Sequence, residues 1–416
     1  MPRVFRLPII RYVAVVAAYA LTAAPVRLLA QEPGAPQAIP PGQLHAAIDK
    51  LGDLDYMTRT NAARTIRRTP SSQAVPALLQ AVAEHADGYV RYRALVLLSG
   101  FGDPRTQDAV RESLNSPNDR LRATAYAFYE HNPDVQTVPV FLAALDKEEA
   151  EFVRPALLRA LASLAQALAD PARARRASPG DRRRVEQALI RDTGRGKDFF
   201  RSAVIEALGD FKAGYAVDVL TAIAKLDGPL QDDSAIALGK IGDKRALETL
   251  AGLQATAPRT SQPAIATAIC LLGVNCSSHE TYVAETLAFA DKNLGFQELL
   301  RHAAAGLGAL GVAGHGEAVQ SLFDVGITAM DDATRAPVAL AIGAVALRNT
   351  PLMLTIIEKR PNRETALALL AEGFDMLEED LDKERFFAFV RHSYWDAPAG
   401  SPARALMQML IGGLDF

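Results

Sequence analysis

Cys270 and Cys276, in AICLLGVNCSS, are the residues whose type and spacing most directly imply chemistry. A continuous helix holds positions i and i+6 about 9 Å apart, too far for a disulfide. Gly273 between them lets the chain turn, so a bridge is the expectation. Closing so small a loop contributes roughly 2–2.5 kcal/mol in the chain-entropy account. The alternative leaves Cys270 as a buried helix residue and Cys276 as a free thiol. There is no C-x-x-C spacing, so redox catalysis is not expected.

Other chemistry-bearing patterns dissolve on inspection. Gly306-Leu-Gly308-Ala-Leu-Gly311 has the spacing of a dinucleotide-binding loop, which works only between a strand and a helix start. Here it follows LLRHAAA and falls at a helix C-terminus, the wrong dipole end for phosphate, so its glycines imply close helix packing. His45, His85, His131, His279, His302, His315 and His392 form no H-x-x-x-H, H-E-x-x-H or Cys/His pattern, and no metal is expected. His315 beside Glu317 in GHGE is expected to be a solvated loop pair. G-x-S-x-G and Walker-type sequences are missing too, so neither catalytic residues nor a cofactor is expected, and the chain is not expected to be an enzyme.

Arg173, Arg175, Arg176, Arg182, Arg183 and Arg184 crowd around Ser178-Pro-Gly in a chain that is otherwise acidic. This local reversal of sign suits an anionic surface or acidic partner, or else is a solvated loop. A second set, Arg91, Arg122, Arg154, Arg201 and Arg335, recurs one place after an apolar residue. These are expected to pair with carboxylates of neighbouring turns, the alternative being a ladder that reads an acidic partner.

The elements that must position these residues announce themselves by repetition. VRYRALVLLSGFGDPR, LRATAYAFYEHNPD, VRPALLRALASLA, FRSAVIEALGDFKA and LQDDSAIALGKIGDKRA recur about every 31 residues. Between them lie QAVPALLQAV and QTVPVFLAAL, whose Pro76 and Pro139 suit a first helical turn. Each period is therefore helix, turn, helix. Gly102-Asp103, Gly209-Asp210 and Gly242-Asp243 read as a left-handed helix end followed by a cap, not as catalytic carboxylates. One interval, Val153 to Phe200, is long and contains the arginine-rich insertion.

Composition agrees with stacked helices. Hydrophobic residues make up 49% but aromatics only 6%, so Ala and Leu carry the apolar load. Arg3, Arg6 and Arg11 precede the apolar run Tyr12–Val26, and RLLA then ends at Ala30, the pattern of a cleaved secretory signal peptide. The run is shorter than the ~20 residues of a membrane span. Removing four leader arginines takes the formal charge from −3 to −7, which gives no global reason to bind nucleic acid.

The units VRxxAxxxL…GDP and AVPALL resemble HEAT repeats, in particular the short HEAT-like repeats first noted in phycobilisome lyases, over roughly residues 55–360. The resemblance implies an all-α fold, a right-handed superhelical α-solenoid of about ten stacked helix pairs. Such a stack would form a curved rod some 100 Å along its contour. The expected organisation is a signal peptide at 1–30, a Pro-rich linker at 31–43, the repeat array at 44–375 with an insertion near 165–185, and capping helices at 376–416. The resemblance is nearly silent on function; with the leader pattern, the expectation is an exported, periplasmic, non-enzymatic scaffold or adaptor for another envelope protein. The rivals are a lyase-like chromophore-handling enzyme and a DNA-interacting HEAT protein.

Overall fold

The computed structural model describes residues 36–416 apart from Leu294, Met330 and Asp415; the leader expected at residues 1–30 lies outside the described residues. The described residues belong to one compact unit. Among the described residues there is no strand, and the helices fall into two layers. The first half contains α1 (Pro41–Asp49), α2 (Tyr56–Arg67), α3 (Ser71–Glu84), α4 (Gly88–Ser99), α5 (Thr106–Ser113) and α6 (Asp119–His131). It continues with α7 (Val138–Leu145), α8 (Val153–Ala167), α9 (Pro171–Ala174), α10 (Asp181–Asp192), α11 (Asp198–Asp210) and α12 (Val217–Ala224). The second half contains α13 (Leu230–Ile241), α14 (Leu247–Thr256), α15 (Gln262–Leu271), α16 (Cys276–Lys292), α17 (Gln297–Val312) and α18 (Gly316–Thr328). It ends with α19 (Asp332–Arg348), α20 (Thr350–Lys359), α21 (Arg363–Met376), α22 (Asp380–Asp396) and α23 (Pro402–Gly413).

The inner layer runs α4, α6, α8, α11, α13, α15, α17, α19, α21, each packed on the next. The helices before each of them form the outer layer, with α10 preceding α11. The core is an apolar seam from Leu44 to Leu272 that continues from Ala266 to Phe416. This is the α-solenoid that the repeats imply. Where inner helices cross, small residues are required. A Cβ on Gly239 would lie 2.6 Å from the Ala268 Cα, and one on Gly373 would lie 2.2 Å from the Ala339 carbonyl oxygen. Gly306, Gly308 and Gly311 lie inside α17 and face Thr267, Ala341 and Val345 in the same way, so they are packing residues.

The arginine ladder turns out to be a capping device. Arg91 Nε donates to the Val82 carbonyl, Arg154 to Leu145, Arg201 to Thr193 and Arg335 to Gly326. Each accepting carbonyl lies in or beside the last turn of the preceding outer helix, where main-chain acceptors lack partners. Gln231 does the same for Ala224 in the unit that lacks the arginine. Carboxylates come second: Glu148 for Arg122, Asp192 for Arg154 and Glu372 for Arg335. The insertion resolves into the one-turn α9 and the outer helix α10, which packs on α8.

Three expectations need correction. Residues 37–39 are not a free linker: Gln37 N–H donates to Arg68, and Ile39 exchanges two hydrogen bonds with the Gln73 side chain. Pro76 lies a turn inside α3, whereas Pro139 occupies the first turn of α7. The array is not an open rod, because α22 leaves the last repeat and packs on α4 and α6 near the start. Arg67 of α2 meets Glu384 at 2.6 Å, and Arg391 meets the other oxygen of that carboxylate at 3.2 Å. Tyr92 donates to Asp380, and His131 Nε2 lies 2.7 Å from Asp382. Gly100 permits the approach, since a Cβ there would sit 2.5 Å from Glu384 Oε1.

Candidate functional site

Closing the curve turns the inner face into a hollow. One part of it holds about 590 Å³ and is lined by α11, α13, α17, α19 and the end of α21. The walls are apolar: Ile236, Ala305, Val312, Leu340 and Met376. Leu340 and Met376 are each about two-fifths exposed, unlike their buried helical neighbours Ala339 and Phe374. The three- and four-residue spacing of Pro337, Leu340, Ala344 and Arg348 puts them along one stripe of α19, the stripe facing inward.

Charged side chains from several helices gather beside the hollow. Arg159 of α8 lies 2.7 Å from Glu130 of α6 and 3.0 Å from Asp210 of α11. Lys240 of α13 reaches Asp210 at 2.7 Å, and Arg348 reaches Glu379 at 3.0 Å. Burial works against the Asp210 charge, yet Lys240 and Arg159 hold its carboxyl below the usual range. Burial pushes the Asp233 carboxyl up, although the Ser202 hydroxyl donates to it at 2.6 Å. Burial likewise pushes Glu379 up despite Arg348. Glu206 and Arg301 line the same hollow, and the Glu206 carboxylate acts through charge on Arg159 and Arg348. A second recess shares Glu206, Arg348 and Glu379 and runs on to Tyr92 and Arg120.

Asp210, read from sequence as a helix cap, is therefore a member of this charged cluster. Asp103 and Asp243 do accept main-chain N–H bonds, from Arg105 and Arg245. Gly102 and Gly242 take the expected left-handed conformation, at φ 65° and 81°. Arg159, Lys240, Arg348 and Glu379 escaped sequence reading because each looks like an ordinary solvated position on an amphipathic helix. Only the curvature makes their faces converge.

The arginine-rich insertion lies elsewhere. Arg173, Arg175, Arg176, Arg182, Arg183 and Arg184 are all exposed. Arg173, Arg182 and Arg184 face Asp170, Glu186 and Asp181 within one helical turn. None of the six lines the hollow.

The cysteines occupy a third place. Cys270 lies in the last turn of α15 and Cys276 begins α16, with their Cα atoms 3.9 Å apart and their sulfurs joined. The turn uses left-handed backbone at Gly273 (φ 77°) and Asn275 (φ 45°). His315 is not paired with Glu317; its Nδ1 lies 3.1 Å from Glu280 Oε2 and 3.8 Å from Cys276 Sγ. Linear spacing hid this group, because His315 arrives from the next repeat.

Residues 44–130 match the family model of HEAT repeats. Among curated proteins none matches the sequence. Among solved structures, the CpcE–CpcF phycocyanin lyase complex of Nostoc sp. PCC7120 is similar at 19% identity, over 56% of this chain and 88% of that one, with a TM-score of 0.34. Kap121p bound to Ste12p is similar at 13% identity and a TM-score of 0.43, over 90% of this chain and 50% of that one. Yeast importin-β (Kap95p) gives 13% identity and a TM-score of 0.40, over 90% of this chain and 56% of that one. This chain thus spans about half the length of the two importin-type proteins.

Proposed function

We infer that this HEAT-type solenoid is a non-catalytic binding protein of the cell envelope, and that its hollow receives an apolar segment of a protein partner. The observation that carries this reading is the apolar hollow itself, with Leu340 and Met376 on its wall each about two-fifths exposed. Half-covered aliphatic side chains in a concavity gain about 25 cal/mol for each Å² removed from water, which favours an apolar occupant. Glu206 and Arg301 beside them would orient that occupant through its polar groups. The arginine ladder does not serve as the reading surface, since its guanidinium groups are occupied by carbonyls and carboxylates. Export rests on the leader pattern of residues 1–30.

The test is capture from envelope extracts by a photo-crosslinker at Met376, with Leu340→Asp as the competing variant. Crosslinking to one protein band that Leu340→Asp abolishes supports the reading. Equal capture by the variant overturns it. N-terminal sequencing of protein exported by its host should begin at Gln31, and a retained Met1 excludes cleavage.

A chromophore-handling role is the second reading. The hollow's volume lies in the range of about 300–1,000 Å³ typical of small-molecule pockets, and Arg301 on its wall offers a cation for a ligand carboxylate. A coloured adduct after incubation with a linear tetrapyrrole favours this reading, and an unchanged spectrum removes it.

A further inference from the structure

We propose that Cys270, Cys276, Glu280 and His315 bind one zinc-class divalent cation whenever the two cysteines are in the dithiol form. One ligand atom from each of the four lies within 4.8 Å of all the others. In a tetrahedral zinc site with bonds of about 2.0–2.3 Å, donors sit roughly 3.3–3.8 Å apart, so sub-ångström to ångström side-chain shifts complete the shell. Two sulfurs, one imidazole nitrogen and one carboxylate oxygen are a donor set for zinc, not for magnesium or calcium.

The fold builds this group deliberately. The left-handed residues Gly273 and Asn275 bring the start of α16 back beside the end of α15. Glu280 follows Cys276 by one helical turn and so shares its face. His315 is set by the α17–α18 turn, where Gly314 takes φ 107° and the His315 N–H donates to the Leu310 carbonyl. Cys276 stands at the first position of α16, where the positive end of the helix dipole favours a thiolate.

An independent observation points to a missing ligand. Glu280 Oε1 is buried and has no hydrogen-bond partner among the described residues, while Oε2 faces His315. A buried carboxylate oxygen with nothing to accept from is costly, and a coordinated cation supplies what it lacks. Cys270 is itself buried, so a metal there would be shielded from bulk water on one side.

The joined sulfurs and the cation exclude one another. A dithiol reductant, R(SH)2, converts the bridge to two Cys–SH groups and leaves as the cyclic disulfide RS2, delivering two electrons and two protons. Metal binding then displaces the two thiol protons as the sulfurs become thiolate ligands. A disulfide oxidant runs the sequence backwards and expels the cation. The site is thus gated by thiol redox state, and none of its residues lines the hollow, so it is separable from partner binding.

Cobalt(II) is the probe, added to the full chain under anaerobic conditions with and without prior reduction by a phosphine. The reduced protein should bind one equivalent with a thiolate-to-cobalt charge-transfer band that zinc bleaches, and the oxidised protein should bind none. Glu280→Gln, which preserves shape, and His315→Ala should each weaken binding by more than the roughly 10–100-fold lost when an outer-shell partner is removed. Zinc should raise the Tm of the reduced chain and not of the oxidised one. Reduced protein that shows no charge-transfer band overturns the proposal. So does binding that both variants retain at wild-type affinity, since that would be thiol chemistry without a built site. The comparison of reduced with oxidised wild type stands even where a variant fails to fold.

Discussion

At the scale of single residues, Glu384 joins the two ends of the chain. Its side chain is 1% exposed and meets two guanidinium groups, Arg67 and Arg391, each 8% exposed. Burial pulls the Arg391 pKa down, and Glu384 is the partner that opposes this. Glu384→Gln should therefore leave two buried cations without a counter-charge, at a cost of about 3–5 kcal/mol, read as a lower urea midpoint. His302 offers a pH test. Its pKa is raised chiefly by Asp232, whose carboxylate lies 2.9 Å from Nδ1, against burial. A raised folded pKa means that the pair's stabilisation is full below the unfolded value of about 6.5 and is lost as pH rises through the folded value. His302→Gln should accordingly lower Tm in mild acid and leave it nearly unchanged in mild alkali; the same drop at both pH values would show a packing role instead.

At the scale of elements, the repeat works because small residues let inner helices touch and polar side chains finish the outer ones. Gly373 on α21 lies against the Ala339 carbonyl of α19, and an added Cβ would be 2.2 Å from that oxygen. Backbone cannot yield as a flexible side chain would, so Gly373→Ala should cost about 1–3 kcal/mol by forcing the two helices apart. Gly102→Ala provides the contrast: nothing crowds its Cβ, and the penalty comes only from its left-handed φ of 65°. Thermal unfolding of both variants separates close packing from backbone conformation. Capping arginines belong to this scale too, since Arg335 satisfies a carbonyl of α18 and a carboxylate of α21 at once.

For the whole molecule, the decisive event is the return of α22 to α4 and α6. Phe387 shows how both ends meet in one element, with the Arg67 guanidinium 5.1 Å above its ring and Phe416 stacked at 4.2 Å. A closed array should scatter X-rays with a single-peaked distance distribution that falls to zero well short of the ~100 Å contour of an open stack. Deleting residues 377–416 should lengthen that distribution and lower the Tm while keeping the helical content of the remaining repeats, because each repeat depends chiefly on its neighbours. Loss of all helical signal on that deletion would show instead that closure is needed for folding.

The periodic pattern by itself determined the two-helix unit, the layer each helix joins, the turns at Gly102 and Gly242 and the packing role of Gly306, Gly308 and Gly311. These are local matters, set by helical period, backbone conformation and nearest-neighbour volume, and a sequence carries them directly. The charged cluster of Arg159, Asp210, Lys240, Arg348 and Glu379 was not legible, nor was the meeting of His315 with Cys276 and Glu280. Each depends on where residues tens to hundreds of positions apart arrive in space. A small rotation per repeat, added along the whole array, decides that arrival, and no single repeat records the sum.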